Sequence, residues 1–117
     1  MVTPKQAELI SRLIDLTNAQ KIGWEKYNSP RSFLFRQGET KYIVNNYKTI
    51  SDEKQYDCIS LVIMDENGRP VENCVGCDAA EYINDYNALV PLYASVIQQY
   101  SGREDREIEN LLQSLPV

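Results

Sequence analysis

The clearest strand signal in the sequence is CISLVIM at residues 58–64, which the turn residues DENG follow at 65–68. Apolar residues at successive positions fill both faces of a strand, which indicates a central place in a sheet. Asn67-Gly68 favours the left-handed turn of a β-hairpin. We therefore expect the chain to return antiparallel over about residues 70–75, as an edge strand because Pro70 cannot donate a ladder hydrogen bond.

Two further strands are predicted before this one. The first is the aromatic run at residues 33–35. The second begins at residue 42 and extends as far as 47–50, after a turn at residues 37–40. A polar segment at 51–55 is predicted as a loop. Short connections between successive strands are typical of an antiparallel meander, here of three to four strands.

Helices are predicted on both sides of this meander. Thr3, Pro4 and Gln6 form a capping box with proline at the first helical position, and an amphipathic helix extends from there to about Gln20. Asp78 and Glu81 have the same capping spacing. One helical arc after them contains Tyr82, Tyr86, Leu89, Tyr93, Val96 and Tyr100.

The C-terminal helical region contains two interruptions. Pro91 either kinks a long helix or marks a new start, and Gly102 is a C-terminal stop signal. A last short helix is then expected, with one stripe formed by Ile108, Leu111, Leu112 and Leu115. The predicted fold is a single α+β domain over residues 1–117: a two-layer sandwich with an N-terminal helix, the meander and C-terminal helices.

Composition excludes several classes of function. The 117 residues carry a net charge of −5, and no three basic residues are consecutive, so nucleic-acid binding is not expected. The absence of histidine removes the commonest general base and zinc ligand. We expect no enzyme, no cofactor and no resident metal.

The sequence predicts no membrane association. No apolar run approaches the roughly 20 residues that a spanning helix needs. Residues 1–5 lack the basic and apolar regions of a signal peptide. We therefore expect a soluble cytoplasmic protein.

The short motif CVGC at residues 74–77 allows two interpretations. Cys74 and Cys77 could be a thiol pair for redox exchange or, with Cys58 as a third ligand, part of a metal site. The motif lacks the βαβ context of thioredoxin-like proteins, and nearby Asp78 and Glu81 disfavour a thiolate. The simpler interpretation is a pair of small, semi-buried residues at the end of an edge strand, and the odd cysteine count argues against a disulfide framework.

Aromatic residues supply the candidate interaction surface. Tyr86 and Tyr93 are predicted to face the core, whereas Tyr82 and Tyr100, nearer the helix ends, are free for contacts. Trp24 is predicted to close one end of the core. Alternatively, it lines a groove with Tyr27 and Phe33, and a pocket formed by Trp24 and Tyr27 could hold a small ligand. The candidate contact residues are thus Trp24, Tyr27, Tyr82 and Tyr100.

Three segments carry a resemblance to known proteins. They read LIDLTNAQKIGWEKY at residues 13–27, SLVIMDENGRPV at 60–71 and LVPLYASVIQQY at 89–100. In this order of helix, meander and helix the chain resembles a loose set of small bacterial proteins of unknown function. The resemblance implies a fold and no activity, ligand or site residue.

These features together favour a non-enzymatic interaction module. An open sheet face or edge strand, rimmed by tyrosines, would bind another protein or a second copy of the chain, with a homodimer as the simplest case. The alternative is a thiol redox or metal-binding protein that uses Cys74 and Cys77.

Overall fold

A computed structural model describes residues 1–116 as one antiparallel sheet with helices packed against it. The strands lie in the sheet in chain order, β1-β2-β3-β4-β5. The arrangement is α+β, as predicted. Its elements are α1 (Pro4–Asn18), β1 (Glu25–Lys26), β2 (Ser32–Gln37), β3 (Thr40–Ser51), β4 (Lys54–Met64), β5 (Pro70–Cys77) and α2 (Ile83–Ser114).

Strand β4 lies inside the sheet between β3 and β5, as its apolar run predicts. Leu61 is paired with Val44 on one side and Cys74 on the other, and all three side chains belong to the main core. The alternate residues Cys58 and Ser60 are also buried, on the opposite face. Both faces of β4 are therefore shielded, although helices cover only one.

The sheet has five strands because a two-residue strand precedes the predicted four. In β1, Glu25 is paired with Leu34 and Lys26 with Phe33. A segment this short gives no strand periodicity, so pattern analysis cannot detect it.

Tight turns join the longer strands. Gly38 and Gly68 have φ values of +60° and +75°, which explains the predicted turns at both glycines. The predicted loop at 51–55 is wrong. Strands β3 and β4 pair as far as Ser51 and Lys54, and only Asp52 and Glu53 form the turn, both with positive φ.

Helix α1 has both expected ends. The Gln6 backbone N–H donates to Thr3 Oγ1 at 3.1 Å, and the Thr3 N–H donates to Gln6 Oε1 at 2.9 Å. At the C-terminus, Gln20 adopts φ 57°, and the Lys21 N–H donates to the Leu16 carbonyl. This is a Schellman arrangement in which glutamine replaces the usual glycine.

Helix α2 is one continuous helix of 32 residues, which corrects the prediction of separate C-terminal helices. Pro91 lies inside it with its ring on the exposed side, and Gly102 does not end it. Arg103, directly after the glycine, donates to the Trp24 carbonyl and lies over the Tyr100 ring at 5.4 Å. These contacts hold the backbone helical where local propensity favours a stop.

The predicted Asp78 cap is also wrong. Helix α2 begins at Ile83 after Tyr82, without a side-chain cap. The Asp78 carboxylate instead accepts the Asp57 backbone N–H at 2.8 Å, and the Asp78 N–H donates to the Asp57 carbonyl at 3.0 Å. Asp78 therefore extends the pairing of β4 with β5.

Both helices pack on one face of the sheet. Ile10 and Leu13 of α1 and Leu89, Leu92 and Val96 of α2 form a single core cluster with sheet residues that share one side. Within residues 1–116, no helix is long and apolar enough to cross a membrane.

Candidate interaction surface

The structure corrects the predicted pair of Cys74 with Cys77. Cys77 forms a disulfide with Cys58, which lies directly opposite it in the β4–β5 register, with the two Cα atoms 4.1 Å apart. Residues three apart in a strand point to opposite faces. Cys74 is therefore on the core side, as a buried free thiol.

Cys74 has the properties of a core residue. Burial raises the pKa of its thiol, and the carboxylates of Glu72 and Asp85 raise it further. A thiol with a raised pKa is a poor nucleophile at neutral pH. Among residues 1–116, no group of three or more His, Cys, Asp or Glu side chains could hold a metal ion.

The glycine of the CVGC motif has a packing role. A Cβ added to Gly76 would lie 2.1 Å from the Tyr86 backbone nitrogen, closer than real atoms approach. Strand β5 can meet the first turn of α2 only because this side chain is absent. Each of Cys74, Gly76 and Cys77 thus has a structural function that the sequence pattern does not distinguish.

Trp24 is fully buried, which removes it from the predicted interaction surface and confirms the core-closing interpretation. Its indole N–H donates to Thr17 Oγ1 at 2.9 Å, and its ring lies 5.7 Å from that of Phe35. The Trp24 backbone N–H donates to Gln99 of α2 at 3.0 Å. Trp24 thereby connects α1, α2 and the sheet.

The three predicted tyrosines do not form one surface. Tyr27 and Tyr82 are 45% and 52% exposed, but Tyr82 lies before the start of α2, and Tyr100 lies 18 residues further along, roughly 27 Å at the helical rise. The Tyr100 ring packs edge-on against Phe33 and lies under the Lys26 ammonium at 5.3 Å. Tyr100 is therefore a packing residue at the rim of the core.

Tyr86 takes part in a polar cluster at the end of the sheet. Its hydroxyl donates to Asp57 Oδ2 at 2.7 Å, and Asp57 Oδ1 accepts from Asn46 at 2.8 Å and lies 3.1 Å from Lys48 Nζ. Burial opposes ionisation of Asp57, but these hydrogen bonds outweigh it and lower its pKa. The same hydrogen bond, with burial, raises the pKa of Tyr86 to about 12.

The polar groups of this cluster are bonded to one another. Its carboxylate is already held by three donors, and a phenol with pKa near 12 is not an acid or base at neutral pH. In the part of the chain that the structure describes, every buried side-chain N or O atom has a hydrogen-bond partner. The cluster fixes α2 to the sheet.

A polar cleft of about 480 Å³ lies between the end of α1 and α2. Thr17, Gln98 and Arg106 contribute to its walls. The amide of Gln99, also on its wall, donates to the carbonyls of Thr17 and Ile22. The cleft therefore contains no unused buried group that points to a ligand.

The main exposed apolar surface lies on the last turns of α2. We call it the apolar stripe, and its members are Ile108 (54% exposed), Leu111 (65%), Leu112 (58%) and Leu115 (62%). Core packing along the same helix ends at Tyr100. The stripe thus continues beyond the core, as an amphipathic segment whose apolar side has no partner in residues 1–116.

A second apolar strip lies nearer the start of the same helix. Val90 and Ile97 are 36% and 40% exposed, and Ala94 between them is also exposed. We call these three residues the free flank. At 100° per residue, the free flank and the apolar stripe fall within one arc of about 100°, so they lie on the same side of α2, with the polar residues Ser101 and Glu104 between them.

The face of the sheet that the helices do not cover is less apolar than expected for a docking surface. Ile43 and Val62 form an apolar centre, but Ser32, Asn45 and Ser60 form a polar row beside it. The Ser32 hydroxyl donates to Asn45 Oδ1 at 2.7 Å. The exposed apolar area is therefore concentrated on α2.

Pattern analysis identified the stripe residues as one side of a short helix, but missed their connection to α2. No apolar side chain lies between Tyr100 and Ile108, so the apolar pattern breaks there, and only the shared phase of the residues on either side indicates a single helix. Comparison of the chain with models of known protein families, with curated proteins and with solved structures finds no match.

Proposed function

We propose that this protein is a non-enzymatic protein-interaction module of bacterial type that associates with itself through the apolar stripe of α2. The observation that carries the proposal is the exposure of four large apolar side chains on one side of a helix that extends past the core. A contiguous apolar surface of this kind on a small protein typically marks an interaction site. The tyrosines of the earlier expectation are not part of it.

The physical argument is the free energy that burial would release. Complete burial of a Leu or Ile side chain is worth about 1.5–3 kcal/mol. The stripe side chains are 54–65% exposed, so each would contribute roughly 1–1.5 kcal/mol on association. Eight such side chains in a symmetric dimer give roughly 8–12 kcal/mol, which is comparable with the 4–15 kcal/mol that association costs. A reversible, concentration-dependent dimer is the expected outcome.

Sedimentation velocity over a concentration series tests this proposal. We expect the mass to rise from monomer towards dimer, and the double variant Leu111→Gln/Leu115→Gln to remain monomeric with unchanged helix content, because glutamine is a good helix former. Ile50→Thr is the matched control. Ile50 is also an exposed apolar residue (75% exposed), but it lies on the β3–β4 hairpin, so this variant should still dimerise. A strictly monomeric protein up to about 1 mM, where an association of about −4 kcal/mol would still be visible, would contradict it.

A second protein remains the alternative occupant of the stripe. The net charge of −5 favours a basic partner, which would meet the carboxylates that surround the stripe. Stoichiometric co-purification of a basic protein that is lost in the Leu111→Gln/Leu115→Gln variant would support this form of the proposal.

The cytoplasmic location is still a prediction, and the Cys58–Cys77 disulfide supplies its test. Disulfides persist in oxidising compartments and are rare in the cytosol. If the protein is cytoplasmic, alkylation at the moment of cell lysis should trap both cysteines as thiols. A disulfide in the trapped protein would contradict the cytoplasmic location.

The geometry does not support the thiol alternative. It needs two accessible thiols at Cys74 and Cys77, whereas Cys74 is buried and Cys77 is bonded to Cys58. Rapid alkylation of Cys74 in the folded, oxidised protein would restore it.

A further inference from the structure

We propose that two copies of α2 pair antiparallel about a two-fold axis near residues 102–103, so that the apolar stripe of each copy covers the free flank of the other. This inference rests on the proposed self-association and assigns its geometry. The occupant of the free flank is therefore the C-terminal part of a second copy.

The spacing of apolar residues supports this register. In the free flank the steps are four residues and then three, from Val90 to Ala94 to Ile97. Read backwards, three of the four stripe residues have the same steps, from Leu115 to Leu111 to Ile108, whereas Leu112 lies outside this pattern. An antiparallel partner meets the helix in reversed order, so the two sets of three residues align. The facing pairs are Val90 with Leu115, Ala94 with Leu111, and Ile97 with Ile108.

Side-chain size also fits this pairing. Ala94, the smallest residue of the free flank, faces Leu111, the most exposed residue of the stripe. Alternation of small and large side chains across a helix pair allows close packing. The same axis places two isoleucines opposite each other at Ile97 and Ile108.

The polar positions between the two apolar sets are compatible with the antiparallel register. Between the two apolar sets, the same side of the helix contains Ser101 and Glu104. A parallel pair in register would place Glu104 against Glu104 of the other copy, a like-charge contact in the interface. The antiparallel pair offsets the two Glu104 residues by roughly 4.5 Å along the axis and places each opposite Ser101, whose hydroxyl can donate to the carboxylate.

The free flank is accessible to a second helix. Leu89, Leu92 and Val96 of α2 point into the core, and Gln99 points towards α1, where it bonds the Thr17 carbonyl. The flank lies on the other side of α2 from Gln99, because Ile97 and Gln99 are two positions apart, about 160° around the helix axis. Neither α1 nor the core thus occupies it.

The size of the interface predicts a weak dimer. Residues 90–115 extend over roughly 38 Å at the helical rise. Six apolar side chains from each copy, at roughly 50 Å² apiece, remove about 600 Å² of apolar surface from water. With the polar share typical of homodimers, the total is roughly 900 Å². This is below the roughly 1,200 Å² of standard interfaces, so the pair should dissociate on dilution.

Disulfide trapping tests the register, because the native cysteines are buried or bonded. A tagged Ala94→Cys protein and an untagged Leu111→Cys protein are mixed at a concentration where the wild type is dimeric, and then oxidised. We expect the mixed covalent dimer in at least tenfold excess over either homodimer. Ala94→Cys mixed with Gln113→Cys is the matched control, since Gln113 lies on the opposite side of α2, and should give only background.

A second measurement leaves all residues of the proposed interface unaltered. A spin label on Gln113 should report a separation of more than about 30 Å in the antiparallel dimer, where the two positions lie roughly 31 Å apart along the axis, and about 20–25 Å in a parallel one, where only the width of the two helices separates them. Cross-linking of Leu111→Cys with itself, or the short distance, would overturn the antiparallel register and leave self-association standing. A monomer in sedimentation would remove both proposals.

Discussion

The contact between Thr17 and Trp24 offers the sharpest test of how α1 is fixed to the rest of the protein. Thr17 is 1% exposed and Trp24 is fully buried. The Thr17 hydroxyl accepts the indole N–H at 2.9 Å and donates to the Leu13 carbonyl at 2.7 Å. Thr17→Val keeps the side-chain shape but leaves the indole N–H with no acceptor and no access to water.

The cost follows from the burial of both partners. A buried donor left without an acceptor costs about 1–3 kcal/mol. The new methyl group offsets up to about 0.8 kcal/mol of this. We therefore expect Thr17→Val to lower the free energy of unfolding by about 1–2 kcal/mol. At roughly 2.1 cal/mol/K of unfolding entropy per residue, the Tm should fall by roughly 4–8 °C.

Urea unfolding followed by circular dichroism measures this change in two backgrounds. Trp24 is the sole tryptophan, so its fluorescence independently reports the wild-type transition. In the Trp24→Phe background the indole donor is gone, and Thr17→Val should then cost little or even stabilise the protein. The coupling energy of the cycle should be about 1–2 kcal/mol. An equal cost of Thr17→Val in both backgrounds would refute the role of this hydrogen bond.

Four further predictions concern the sheet, helix α2 and the contacts between them. Gly76→Ala should destabilise the protein by about 3 kcal/mol or more, because its Cβ would meet backbone 2.1 Å away. Gly102→Ala should stabilise the protein by about 0.5–1 kcal/mol, because alanine is the better helix former at this open position. A urea midpoint equal to that of the wild type would contradict the prediction for either variant. Reduction of the Cys58–Cys77 disulfide should lower the free energy of unfolding by about 3 kcal/mol. Dithiothreitol should therefore lower the urea midpoint of the wild type but not that of the Cys58→Ser/Cys77→Ser variant. Tyr86 has a pKa raised from 10.0 to about 12, so it stabilises the fold fully below pH 10, and this contribution is lost as pH rises towards 12. Tyr86→Phe should lower the free energy of unfolding by about 1–2 kcal/mol at neutral pH, and its stability should decline less steeply above pH 10 than that of the wild type. Parallel pH profiles of stability for the two proteins would contradict this role of the Tyr86 hydroxyl.

Local pattern was a reliable guide where one residue's neighbours in sequence decide its conformation. The capping box of Thr3 and Gln6 and the turns at Gly38 and Gly68 are present as predicted. Each depends on backbone angles and on hydrogen bonds that span only a few residues, so tertiary context has little influence on them.

Helix ends were predicted less well because tertiary contacts outweigh local preference. Gly102 is a stop signal worth about 1 kcal/mol against the helix. The adjacent Arg103 gains a hydrogen bond to the Trp24 carbonyl and a contact with the Tyr100 ring, and α2 continues. Trp24 is 79 residues away in sequence, beyond the reach of any local pattern.

The sequence by itself determined the α+β class, the central place of β4 and the hairpin after it, because alternation, apolar runs and turn residues act over short distances. The tertiary structure alone decided that Cys77 pairs with Cys58, that Cys74 is a core residue, and that Gly76 admits the start of α2. The physical reason is register. Which side chains meet across two strands, or between a strand and a helix, depends on how whole elements are aligned, and no short segment contains that information.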